Sequence, residues 1–240
     1  MEHAAPIPGT TPAPLWTRDF TILTVGSVVS MLGSTLSSFA MDLMVLDYTG
    51  STLLFAVYNI LFMLPTTLAP VLAGPFLDRF SRRKTIYTLD FITAGLFALL
   101  ALLMRAGFFP FYVPAAANFL LGTISGIYFV AYDSFYPLLI SEGNFGRAYA
   151  VSSTLETLTM VMVPVSTLVY KSFGVGPLFL ANTASYLIAA ILETQIRAGE
   201  DYITQRAAET AAPAGARRFL TDFREGMTYL IGEKGLIAIA

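Results

Sequence analysis

The chain has 240 residues, 55% of them apolar and only 12% charged, with a mean hydropathy of +0.67, where a soluble domain carries about 25% charged residues. That balance excludes a water-soluble globular protein, and a net charge of -2 from 14 basic and 16 acidic residues leaves no cationic excess for nucleic acid. Cysteine is absent and the single histidine, His3, lies in a Pro/Ala/Thr-rich tail, which excludes disulfides, thiolate metal sites, cysteine nucleophiles and imidazole chemistry inside a membrane.

In chain order, a polar, Pro-rich tail ends at Arg18 and Asp19; it lacks the basic start of a cleavable signal and is expected to be retained. Six apolar runs follow, at Phe20 to Leu46, Leu53 to Phe76, Thr85 to Met104, Phe111 to Leu139, Ala148 to Val169 and Pro177 to Ile196. Each is close to or above the roughly 20 residues that cross about 30 Å of hydrocarbon as a helix. Hydrocarbon offers backbone groups no water, so each run must pair its own N–H and C=O groups, and runs this long do not resemble the short alternating strands of a barrel. The predicted fold is an all-α membrane protein, a bundle of six transmembrane helices over residues 1–196.

With the N-terminus inside, all 14 Lys and Arg residues except Arg105 and Lys171 fall on the inner side. The positive-inside rule then places both ends of the six-span unit in the cytoplasm, as a multi-pass protein of the plasma (inner) membrane. Residues 197–234 read as a cytoplasmic linker in which Phe219, Phe223, Met227 and Leu230 recur at helical spacing, the pattern of an amphipathic surface helix. Residues 235–240 turn apolar again, as the start of a seventh span.

Between the second and third runs stands Gly74-Pro75-Phe76-Leu77-Asp78-Arg79-Phe80-Ser81-Arg82-Arg83-Lys84. Gly74 would let a neighbouring helix approach closely, Asp78 could accept hydrogen bonds or face a helix N-terminus, and Arg79, Arg82 and Arg83 could pair with carboxylates or lipid phosphates. A plain positive-inside loop is the simpler alternative. In its spacing, G-x-x-x-D-R-x-x-R-[RK], and its place after the second span, the stretch resembles the signature of the major facilitator superfamily. Ser30 to Ser34, Asp47 to Ser51 and Phe223 to Leu230 resemble the branch containing macrolide and siderophore exporters. The resemblance implies twelve spans in two six-helix halves, of which this chain corresponds to the N-terminal half, the linker and the start of span seven. It departs from that pattern in span five, where Val161 to Ser166 has a proline but no flanking glycines, and in span four, which lacks the arginine many members carry.

A carboxylate in hydrocarbon costs several kcal/mol unless it faces a cavity, a partner or a proton, so intramembrane acids are functional candidates. Asp90, Asp133 and Glu156 lie about 9, 10 and 12 Å in from the cytoplasmic ends of spans three, four and five, at about 1.5 Å per residue. If those spans converge, the three form an acidic layer suited to a proton or a cationic substrate. Asp42 sits near the outer end of span one and could simply reach the headgroups; Glu193 is expected to be a solvated end. Tyr128, Tyr132 and Tyr136 form one stripe on span four, able to stack on a substrate or to pack on neighbouring helices. Asn59 and Asn118 are suited equally to a cavity wall and to interhelical hydrogen bonds. Gly122 and Gly126, like Gly26, Ser30 and Ser34, are spaced for close helix contact.

The resemblance thus implies a secondary transporter moving a small organic compound, as a proton-coupled antiporter in the efflux direction. Its partners are membrane lipid, the small-molecule substrate, and the missing C-terminal half or a second copy. The alternative is a half-size protein that acts only through dimerisation or a partner. An intramembrane serine protease lacks its base, because the only histidine is in the tail. No phosphate loop, metal-ligand cluster or dinucleotide fingerprint occurs, so no cofactor, no metal and no enzymatic role are expected.

Overall fold

The structure, a computed structural model, describes residues 14–77 and 80–199, with the side chains of residues 75–77 excepted. The amphipathic linker helix, the start of span seven, and Asp78 and Arg79 of the basic motif fall outside the described residues. Among the described residues, six helices are each long and apolar enough to cross a membrane. They are α1 (Arg18–Thr49), α2 (Thr52–Leu77), α3 (Arg82–Arg105), α4 (Tyr112–Phe135), α5 (Phe145–Phe173) and α6 (Gly176–Glu193).

Two helices start earlier than their apolar runs because of polar caps. α1 starts at Arg18 because Thr17 Oγ1 accepts the Phe20 N–H at 3.3 Å, with Asp19 in the positive first turn. α3 starts at Arg82, three residues before the apolar run, because the Ser81 hydroxyl accepts the Lys84 N–H at 3.1 Å. α4 tightens into a 3-10 turn, Tyr136–Leu139, at Pro137, which has no N–H to continue the α-helical ladder. α1 stops at Gly50, whose φ of 57° closes the helix by donating to the Leu46 carbonyl at 2.9 Å.

In space the helices run α2–α4–α3–α6–α1–α5, with a lighter α1–α2 contact. Two apolar clusters lie at opposite ends. One, near the α2–α3 loop and so called the basic end, gathers Phe20, Leu23, Ile86, Phe135, Tyr136, Ala148 and Ile196. The other gathers Met41, Val45, Tyr58, Phe97, Leu100, Leu178 and Phe179. Between them, α1, α3 and α6 bury Thr24, Ser27, Ser30, Asp90, Thr93, Asn182 and Glu193.

Helices in lipid gain little from hydrophobic association, so small residues and interhelical hydrogen bonds hold them together. A methyl group at Gly122 would run into the Phe62 carbonyl, and one at Gly126 would lie 2.9 Å from the Thr66 carbonyl. The bond from Thr66 Oγ1 to the Gly122 carbonyl at 3.1 Å crosses the same α2–α4 seam. On the other side, Gly33 lies against Asn182 and Ser185 of α6, and Ser37 donates to the Leu178 carbonyl at 3.0 Å. Gly122→Ala is therefore expected to destabilise the bundle by about 1–3 kcal/mol through overpacking, whereas Gly95, with nothing within 4 Å of an added methyl, should accept alanine without loss. Thermal unfolding of the detergent-solubilised variants would separate the two.

Candidate functional site

The polar band is built by the helical period. On α6, Asn182, Tyr186, Ala189 and Glu193 recur at i, i+4, i+7 and i+11, which is one face, and that face meets the small residues of α1. Glu193 is 0% exposed, Asn182 0% and Asp90 1%. A methyl at Gly26 would lie 3.3 Å from Glu193 Oε1, a tight contact, so glycine there eases the closure of α1 over this carboxyl. Glu193 is therefore an interior residue and not the solvated end expected from the sequence. The apolar run extends to Ile196, but α6 ends at Glu193. There the chain turns back under Arg83, whose guanidinium donates to the Ile196 carbonyl at 2.5 Å, and Asp19, which accepts the Arg197 N–H at 3.1 Å.

The Asp90 and Glu193 carboxyls lie within hydrogen-bonding reach of each other. Around them stand the hydroxyls of Tyr128 and Tyr132 from α4, Tyr186 from α6 and Ser27 from α1. Asp90 Oδ2, both Glu193 oxygens and both Asn182 amide atoms find no hydrogen-bond partner among the described residues. Buried polar atoms are normally paired, so such a concentration requires a reason.

The acids expected to form one layer are divided. Asp90 is interior, whereas Asp133 on α4 and Glu156 on α5 are exposed on the bundle surface, and α5 packs chiefly on α1. Asp42 is half-buried and faces Tyr58 of α2, which is itself fully buried. The three tyrosines do form a stripe, stacked ring on ring at 5.8 and 5.4 Å. Tyr136 ends in the apolar cluster against Phe20, its hydroxyl donating to the Ala148 carbonyl at 2.8 Å, which is a packing role. Asn118 likewise joins α4 to α2 by donating to the Tyr58 carbonyl at 2.8 Å, while Asn59 is exposed and donates to the Phe55 carbonyl of its own helix.

In the basic motif, no described atom would come within 4 Å of a methyl at Gly74, so the close helix approach expected there is not formed within this bundle. Arg82 donates to the Ser134 carbonyl near the end of α4 at 3.0 Å, and Arg83 to the Ile196 carbonyl beyond α6. Both cations thus reach main-chain carbonyls at helix C-termini, where the dipole is negative, in addition to the pairings anticipated from the sequence. At the opposite end, Met44, Tyr48, Met104, Phe108, Phe109 and Tyr112 help to line an apolar pocket of about 590 Å³. Its sequence signal is the aromatic run at residues 108–112, typical of a membrane interface.

The motif and the six-helix bundle agree with a comparison of the whole chain. The sequence profile of the Major Facilitator Superfamily matches residues 23–237. The chain belongs to that superfamily. It is 22% identical over 224 residues to an uncharacterized MFS-type transporter, YkuC, of Bacillus subtilis (strain 168), an alignment covering 92% of this chain and 52% of the relative. It is also 22% identical over 225 residues to macrolide efflux protein A of Streptococcus pyogenes, covering 93% and 54%. The chain spans about half the length of these curated relatives. No solved structure matches it at a significant level. The superfamily consists of membrane transporters, and this chain is a multi-pass membrane protein.

The packing role of Tyr136 makes a simple forecast. Tyr136→Phe removes one buried hydrogen bond and should lower stability by about 1 kcal/mol without altering substrate affinity; a measured change in affinity at unchanged melting temperature would place Tyr136 in the binding site instead.

Proposed function

We propose that this chain forms one six-helix half of a secondary active transporter that exports a small organic compound against an inward flow of protons. Membership of the superfamily carries this reading, and the similarity to a macrolide efflux protein supports the direction and the substrate class. The second half of the full protein would cover the faces that α2 and α5 leave open, where Leu53, Met63, Met160 and Leu168 are 73, 70, 72 and 67% exposed. The Lys and Arg bias supports a cytoplasmic position for the basic end, in a plasma-membrane protein.

On this reading Glu156 and Asp133, acids exposed on α5 and α4, meet the solute pathway. Taking up a proton there removes a charge, releases a cationic solute and shifts the balance between inward-open and outward-open states. The test is efflux from inverted vesicles holding the full-length protein under an imposed pH gradient. Glu156→Gln should abolish proton-driven efflux at unchanged expression, and undiminished efflux would remove Glu156 from the mechanism.

A further inference from the structure

We propose that Asp90 and Glu193 form a single interior proton-binding site that fastens α6 to α3, separate from the acids on the open faces. Two acceptor groups stand within hydrogen-bonding reach, at 1% and 0% exposure, and neither Glu193 oxygen nor Asp90 Oδ2 receives a donor from any described residue. Two ionised carboxylates so placed would repel each other in a medium that screens poorly and would each carry a desolvation cost of several kcal/mol. One proton resolves both problems. It turns one carboxyl into a donor and the pair into a hydrogen-bonded unit of charge -1, held between α3 and α6.

Among the described residues, no cation faces the pair. The groups facing the pair are the hydroxyls of Tyr128 and Tyr132 from α4 and of Tyr186 from α6, together with Ser27 and Gly26 of α1. Arg82 and Arg83, at the start of the helix that carries Asp90, are engaged with the carbonyls of Ser134 and Ile196. Carboxyl and hydroxyl oxygens together could also hold a monovalent cation, which makes sodium the competing occupant. The α3–α6 seam is one of the most extensive in the bundle, so the state of this pair acts on the fold as a whole.

Infrared spectra of the purified full-length protein, recorded from mildly acidic to alkaline pH, test the assignment. The carbonyl-stretch band of a protonated, buried carboxylic acid is expected at neutral pH, retained in Asp42→Asn and Glu156→Gln and lost in the Asp90→Asn/Glu193→Gln double variant. A band that survives in the double variant overturns the proposal. So does a wild-type band that sodium displaces at constant pH, which would make this a sodium site. Stability gives a second readout. The folded pair holds a proton that the unfolded chain releases, so stability is present at low pH and lost as pH rises, with the unfolding constant growing up to tenfold per pH unit. Glu193→Gln, which supplies its own donor to Asp90, should fold and flatten that slope; an unchanged slope counts against the pair. Both measurements are independent of transport, so their failure is distinct from failure of the export reading.

Discussion

Within hydrocarbon every polar group must find its partner inside the protein, and most features of this bundle follow from that requirement. Hydroxyls along the helices largely meet it locally: Thr35, Thr49, Thr67, Thr123 and Thr154 each donate to the carbonyl four residues back. A smaller set is spent between helices. Thr66 and Asn118 join α2 to α4, Ser37 joins α1 to α6, and Ser166 joins α5 to α1 by donating to the Leu36 carbonyl at 2.6 Å. These bonds occur where small side chains already bring backbones together, because a hydroxyl reaches a neighbouring carbonyl only across such a seam.

Against that background the interior of α1, α3 and α6 stands apart. Two apolar clusters close the ends of the bundle, while the segment between them keeps Asp90, Glu193, Asn182, Ser27 and Thr24 without local partners. Leucine or alanine at these positions would be cheaper in a structure that only had to pack. The cost is concentrated on the faces that α1, α3 and α6 turn toward one another, which separates a charge-bearing interior from the exposed surfaces of α2 and α5.

Much of this architecture is legible in the sequence, and the reasons for success and failure are physical. All six spans follow from uninterrupted apolar length, and the glycine pair on α4 marks a true seam because small residues have few other uses in lipid. The helix ends at Arg18 and Arg82 were missed because Thr17 and Ser81 extend helices into polar sequence that hydropathy discards. The acids were harder. Depth along a span is readable from residue counts, but direction around the helix axis depends on which neighbour it meets. Asp90, Asp133 and Glu156 therefore looked equivalent until packing turned one inward and two outward. The burial of Glu193 is hidden for a related reason: it depends on Arg83 and Asp19 folding the following residues back, contacts 113 and 178 positions apart in the chain. The Asn182, Tyr186 and Glu193 spacing was nevertheless present as a signal of one polar face.

The order in space, α2–α4–α3–α6–α1–α5, differs from the order of synthesis. Apart from α3 and α4, helices adjacent in the chain make little contact, so few of the hairpins that enter the membrane first are finished units. α1 displays Gly26, Ser27 and Gly33 to lipid until the last helix arrives, and α6 brings Asn182 and Glu193 into a bilayer that penalises them until α1 and α3 receive it. α6 is thus the closing piece of this bundle, and its insertion is a cooperative event that depends on α1 and α3, both made well before it.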